Sequence, residues 1–123
     1  MKRILDVGNC GPDHAGITRF FKKHFDCEVD QADRASDALA KLHSQSFDLV
    51  VVNRKLDIDY SDGIDIIRQI KATPELAEVP VMLITNYADQ QEVAMEAGAV
   101  RGFGKLEYQQ PETLERVKAV LDN

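Results

Sequence analysis

The chain has 123 residues, 44% of them apolar and 29% charged, which is the size and make-up of one soluble domain spanning residues 1–123 around a single core. With 15 Lys and Arg against 21 Asp and Glu, a net charge of −6 and no basic stripe argue against nucleic-acid binding. No signal peptide opens the chain and no apolar run approaches the ~20 residues of a membrane span, so a cytoplasmic protein is expected.

In chain order, a short apolar strand at Arg3–Val7 is followed by a helix with Ile17, Phe20, Phe21 and Phe25 at helical spacing and Pro12 and Asp13 in its first turn. A partly polar second strand, Glu28–Ala32, belongs at a sheet edge. A helix with Ala35, Ala38, Leu39 and Leu42 on one face comes next. The β-branched run Leu49–Val52 lacks alternation, as a strand covered on both faces should, and is placed at the sheet centre. A polar connection, Arg54 to Gly63, leads to a helix carrying Ile66, Ile67 and Ile70, which Thr73-Pro74 ends. Pro80 introduces a fourth strand, Val81–Thr85. A helix around Val93–Ala97 stops at Gly98, a left-handed cap. The fifth strand lies near Val100–Phe103, and Pro111 starts a last helix with a stripe of Leu114, Val117 and Leu121.

Strict alternation of strand and helix implies a parallel α/β sheet wound with helices on both faces. In such sheets ligands sit at the carboxyl ends of the strands. Those ends carry Gly8, Asn9 and Cys10, then Asn53, then Thr85, then Lys105.

The segments Lys2–Leu5, Phe47–Val52, Asp62-Gly63, Val79–Thr85 and Gly98-Ala99 with Lys105 resemble a response-regulator receiver domain, and the resemblance spans nearly the whole chain. It implies a flavodoxin-like (βα)5 fold with strand order 2-1-3-4-5 and a role in two-component signal transduction. It also implies an acidic pair after the first strand, a phosphoacceptor Asp after the third, Thr or Ser after the fourth and Lys after the fifth. Only Thr85 and Lys105 match.

Asn53 stands at the acceptor position, and an amide has neither the charge nor the free lone pair that attack on phosphorus requires. Gly8 and Asn9, or Asn9 and Cys10 when counted back from Pro12, replace the acidic pair, and neither register supplies a carboxylate. Magnesium prefers hard anionic oxygens, so no metal or other cofactor is expected. Asp6 lies a pleat deeper and is expected to pair with a nearby cation, while Asp57, Asp59 and Asp62 read as solvated turn formers. The loop they occupy is longer than is usual in the family and lacks its proline. Lys105, without its usual carboxylates, is expected to meet Asp6, a loop acid or an external anion.

The family's moving aromatic is replaced by Gly102, with Phe103 beside it expected in the core. Cys10 and Cys27 are expected as free thiols, and His14, His24 and His43, which share no ligand spacing, on helix surfaces. The expected function is a signalling module that is not phosphorylated and acts by contact with a protein partner, a histidine kinase or an effector, as a monomer or weak homodimer. Tyr87, Met95, Arg101 and Tyr108 are the residues expected on its partner face. Two alternatives are a variant that senses a small anion or metabolite in the strand-end pocket, and a phosphoacceptor using Asp6, Asp57 or Asp59 instead.

Overall fold

The computed structural model describes residues 1–122. Its elements are β1 (Lys2–Val7), α1 (Gly11–His24), β2 (Cys27–Ala32), α2 (Ala35–Ser44), β3 (Leu49–Asn53), α3 (Gly63–Ala72), β4 (Val81–Ile84), α4 (Ala88–Glu96), β5 (Val100–Phe103) and α5 (Pro111–Leu121). All neighbouring strands are parallel, in the order β2-β1-β3-β4-β5. This is the flavodoxin-like doubly wound sheet that alternation and resemblance predict, with partly polar β2 at the edge and apolar β3 in the middle.

Successive strand residues face opposite layers, and the two layers are chemically distinct. Leu5, Val7, Val50, Val52 and Leu83 face one core with Ala38 and Leu42 of α2 and Ile66, Ile67 and Ile70 of α3. Ile4, Leu49, Val51, Met82 and Ile84 face another with Ile17, Phe20 and Phe21 of α1 and Val117 and Leu121 of α5. Asp6 falls on the second side by the same alternation, which points it at α1.

Three details differ from the sequence reading. β2 begins at Cys27, whose buried side chain completes the alternation. α4 begins at Ala88 rather than near Val93, because its first turns are polar and show no apolar period. The buried stripe of α5 uses Thr113 in place of Leu114, since the Thr113 hydroxyl donates to the Glu107 carbonyl at 2.8 Å and is thereby satisfied in the interior.

Candidate functional site

Asn53 is the last residue of β3, and the chain beyond it folds back on itself. Lys55 bridges Asp62 in antiparallel fashion, Leu56 N–H donates to the Ser61 carbonyl at 3.0 Å, and Tyr60 closes the turn with φ +57°. Asp59 accepts from the Ser61 amide at 3.0 Å and the Ser61 hydroxyl at 2.6 Å. Asp62 caps α3 by accepting from Ile64 N–H at 2.9 Å. Asp59 thus acts as a turn former and Asp62 as a helix cap.

The fold-back drives Leu56 inward until it is fully buried against Gly8. Gly8 has φ +81°, a conformation that disfavours any side chain, and a Cβ built there would overlap Leu56 Cγ. Its carbonyl is taken by Asp57 N–H at 2.8 Å. The place where a side chain of Gly8 would project is therefore filled by an aliphatic side chain from the loop after β3.

The Asn53 amide is held on both ends. Its Nδ2 donates to the Lys55 carbonyl at 2.7 Å and the Gly8 carbonyl at 3.4 Å, while its Oδ1 accepts from Lys105 Nζ at 3.4 Å. The shorter contact of Lys105 is to Asp13 Oδ2, at 2.8 Å. Asp13 is thus the acid that meets Lys105, instead of Asp6 or a loop acid, because the first turn of α1 lies over the end of β5. Lys105 holds the Asp13 carboxyl below the usual carboxylate range. Thr85 is buried, and its Oγ1 accepts from Tyr87 N–H at 3.2 Å.

Asp6 is fully buried and has its own partners. Asn9 Nδ2 donates to Oδ1 at 2.6 Å, and His14 Nδ1 lies 2.7 Å from Oδ2. Burial pushes the Asp6 carboxyl up, and the hydrogen bonds from His14 and Asn9 oppose that rise. His14 is accordingly not a plain surface residue: it is a hydrogen-bond partner of Asp6, held by position 14 facing β1. Asn9 Oδ1 is buried with no partner among the described residues. Cys10, partly buried, precedes α1 as its N-cap without a side-chain capping bond to the helix backbone, its thiol lying instead against the Asp13 carboxylate, and Cys27 is a buried free thiol.

The divalent cation that a receiver implies does not fit this donor set. Gly8 has no side-chain oxygen to offer and its carbonyl is already bonded by Asp57 N–H and Asn53 Nδ2, Leu56 fills the side-chain space, both Asp6 oxygens are engaged, and the Asn53 oxygen is neutral and faces an ammonium.

Gln91 is a further residue that the sequence does not single out. It is buried in α4; its Nε2 donates to the carbonyls of Leu83 at 3.0 Å and Thr85 at 3.2 Å, and its Oε1 accepts from Gly102 N–H at 2.9 Å. The pairing of β4 with β5 slips here, with Met82 opposite Val100 and Ile84 opposite Phe103. That bulge leaves the Gly102 amide outside the ladder, and Gln91 satisfies it. Gly102 also has no room for a Cβ, which would strike the Leu83 carbonyl. Phe103 is fully buried, as expected.

Of the expected partner-face residues, Tyr87 and Met95 are 61% and 44% exposed, and Arg101 is partly buried. The Tyr87 ring lies 5.6 Å under the Arg54 guanidinium. Tyr108 is set apart, with its ring centroid 5.3 Å from Phe20 of α1 and 6.0 Å from Phe103. Burial pushes its hydroxyl pKa up to about 12, with Asp6 and Asp13 adding to the shift.

The response regulator receiver domain model matches residues 13–118. The chain is 33% identical over 75 residues to the chemotaxis protein CheY of Pseudomonas aeruginosa, a match covering 59% of this chain and 58% of that protein. The signal receiver domain of a DNA-binding response regulator from Colwellia psychrerythraea superposes with TM-score 0.82 at 23% identity, covering 100% of both chains. A LuxR family DNA-binding response regulator from Silicibacter pomeroyi gives TM-score 0.75 at 27% identity, covering 99% of this chain and 93% of that one. With the family model spanning most of its length and the same strand order in place, the chain belongs to the response regulator receiver domain family of two-component signalling.

Proposed function

We propose that this receiver domain is not phosphorylated and signals by docking a protein partner, a histidine kinase or an effector, with the scaffold intact and the phosphotransfer chemistry lost. The observation that carries the reading is Leu56 seated where a side chain at Gly8 would stand, next to an acceptor position occupied by Asn53. Loss of a single carboxylate could be reversed by one substitution. Here the neighbouring loop has been rebuilt around the loss, through Gly8, Leu56, Asp59 and the φ +57° turn at Tyr60.

The bonding on the far side supports the same reading. Gln91 ties α4 to β4 and β5 by three hydrogen bonds, and glycine stands where the family keeps its moving aromatic. The face bearing Tyr87 and Met95 is exposed and its helix is tied down by contacts that involve no phosphoryl group.

Capture of proteins from the source cell on the immobilised chain, with and without acetyl phosphate and magnesium, tests this. The same partner should be retained in both conditions and released by the double variant Tyr87→Ala, Met95→Ala. A partner retained only with the phosphodonor present would overturn the reading.

A further inference from the structure

The strand-end cleft, a hollow of about 210 Å³, is lined by Arg54, Lys55 and Lys105 with Thr85 and Asn53, and no carboxylate is among its lining residues. The Gly8–Cys10 segment lines a separate hollow together with Asp33 and Asp57, so the cations stand apart from those acids in a chain whose net charge is −6. We propose that this cleft binds a small tetrahedral oxyanion, inorganic phosphate or the terminal group of a phosphate monoester, non-covalently, with Arg54 and Lys55 as its main recognition residues. The inference rests on the reading that Asn53 is not a phosphoacceptor, and it names a ligand class for that same site.

The assignment of donors follows from what is already occupied. Lys105 is matched by Asp13 at 2.8 Å, so its charge is partly neutralised. Among the described residues Arg54 and Lys55 have no ion-pair partner. Arg54 is held over the Tyr87 ring, which steadies a guanidinium beside the cleft without satisfying its donors. The Lys55 carbonyl is taken by Asn53, and its exposed ammonium is unpaired. Thr85 Oγ1 accepts from the Tyr87 amide, so its hydroxyl hydrogen is left to donate. Asn53 has both Nδ2 bonds and its Oδ1 engaged, so it forms a neutral wall that does not repel an anion. The cleft is smaller than the several hundred Å³ of drug-sized ligand pockets, which favours a phosphate-sized group over a large metabolite.

The test is titration of the full chain, followed by amide NMR in chloride buffer, with inorganic phosphate, with glycerol 3-phosphate and with acetate as a planar monoanion. Saturable shifts centred on Arg54, Thr85 and Lys105 are expected with phosphate or the monoester and not with acetate, and the tighter of the two identifies the source. Arg54→Ala and Lys55→Ala should each weaken binding about tenfold, the loss of one charge-assisted contact. Asp13→Asn should act in the opposite direction and tighten binding, because it frees Lys105. Absence of saturable shifts, shifts confined to Arg19 and Lys23 of α1, or unchanged affinity in Arg54→Ala and Lys55→Ala would overturn the proposal. If phosphate fails to bind and acetyl phosphate leaves no adduct, only this inference falls. An adduct removes the phosphorylation-independent reading whatever phosphate does.

Discussion

The fit of Leu56 against Gly8 can be tested by a single methyl group. Gly8→Ala places a Cβ on a residue with φ +81°, a left-handed conformation that costs an L residue roughly 1–2 kcal/mol. The same Cβ overlaps Leu56 Cγ and stands 3.1 Å from Leu56 Cα, so the loop must move as well as the side chain. Overpacking of this kind costs about 1–3 kcal/mol. Together the two effects predict a loss of about 2–5 kcal/mol, a large share of the ~5–15 kcal/mol that stabilises a domain of this size. Urea unfolding of Gly8→Ala, Leu56→Ala and the double variant measures it. Leu56→Ala alone should be destabilising, through loss of a buried side chain. In the double variant the overlap is gone, so its loss should fall short of the sum of the singles by at least about 1 kcal/mol. A Gly8→Ala variant within about 0.5 kcal/mol of the parent, or strict additivity in the cycle, would refute the claim that Leu56 occupies the place of a side chain at position 8.

Gln91→Ala should lower stability by about 2–4 kcal/mol, since it opens a cavity and leaves the Gly102 amide unsatisfied; hydrogen exchange at Gly102 should quicken selectively. His14→Ala leaves the buried Asp6 carboxylate with Asn9 alone and should cost about 1–3 kcal/mol at neutral pH. Burial raises the Asp6 pKa, so folding favours its protonated form and the His14→Ala deficit should shrink as the pH falls, as read from unfolding midpoints across a pH series. Asp13 is shifted the other way: its contribution with Lys105 is complete above about pH 4 and fades as the pH falls through the lowered folded value. Because the Asp13 side chain is 42% exposed, that contribution is at most about 1 kcal/mol, and Asp13→Asn should lack the acid-side fade.

The sheet was legible because its signals are collective. Leu49–Val52 is apolar on both faces, Pro80 and Pro111 mark entries, and Gly98 adopts φ +107° at the end of α4 as its type suggests. The absence of carboxylates from the strand ends was also legible, since it depends only on residue identity at Gly8, Asn9, Cys10 and Asn53. What could not be read is pairing across the fold. Asp13 lies 92 positions from Lys105, and only the seating of α1 brings them together. Leu56 looked like part of a polar loop, and its burial depends on the turn at Tyr60. Gln91 showed no signal because a lone polar residue on a polar helix reads as surface, and the bulge that calls for its amide arises from how β5 slips along β4. His14 was misplaced for a related reason, as nothing local shows that position 14 faces the buried Asp6.

The claim that phosphotransfer has been lost is met most directly by the intact mass of the chain after incubation with acetyl phosphate and magnesium. The unmodified mass is expected, with no acid-stable or labile phosphoryl adduct at any time point. A species heavier by one phosphoryl group, lost on treatment with hydroxylamine as an acyl phosphate would be, would contradict it.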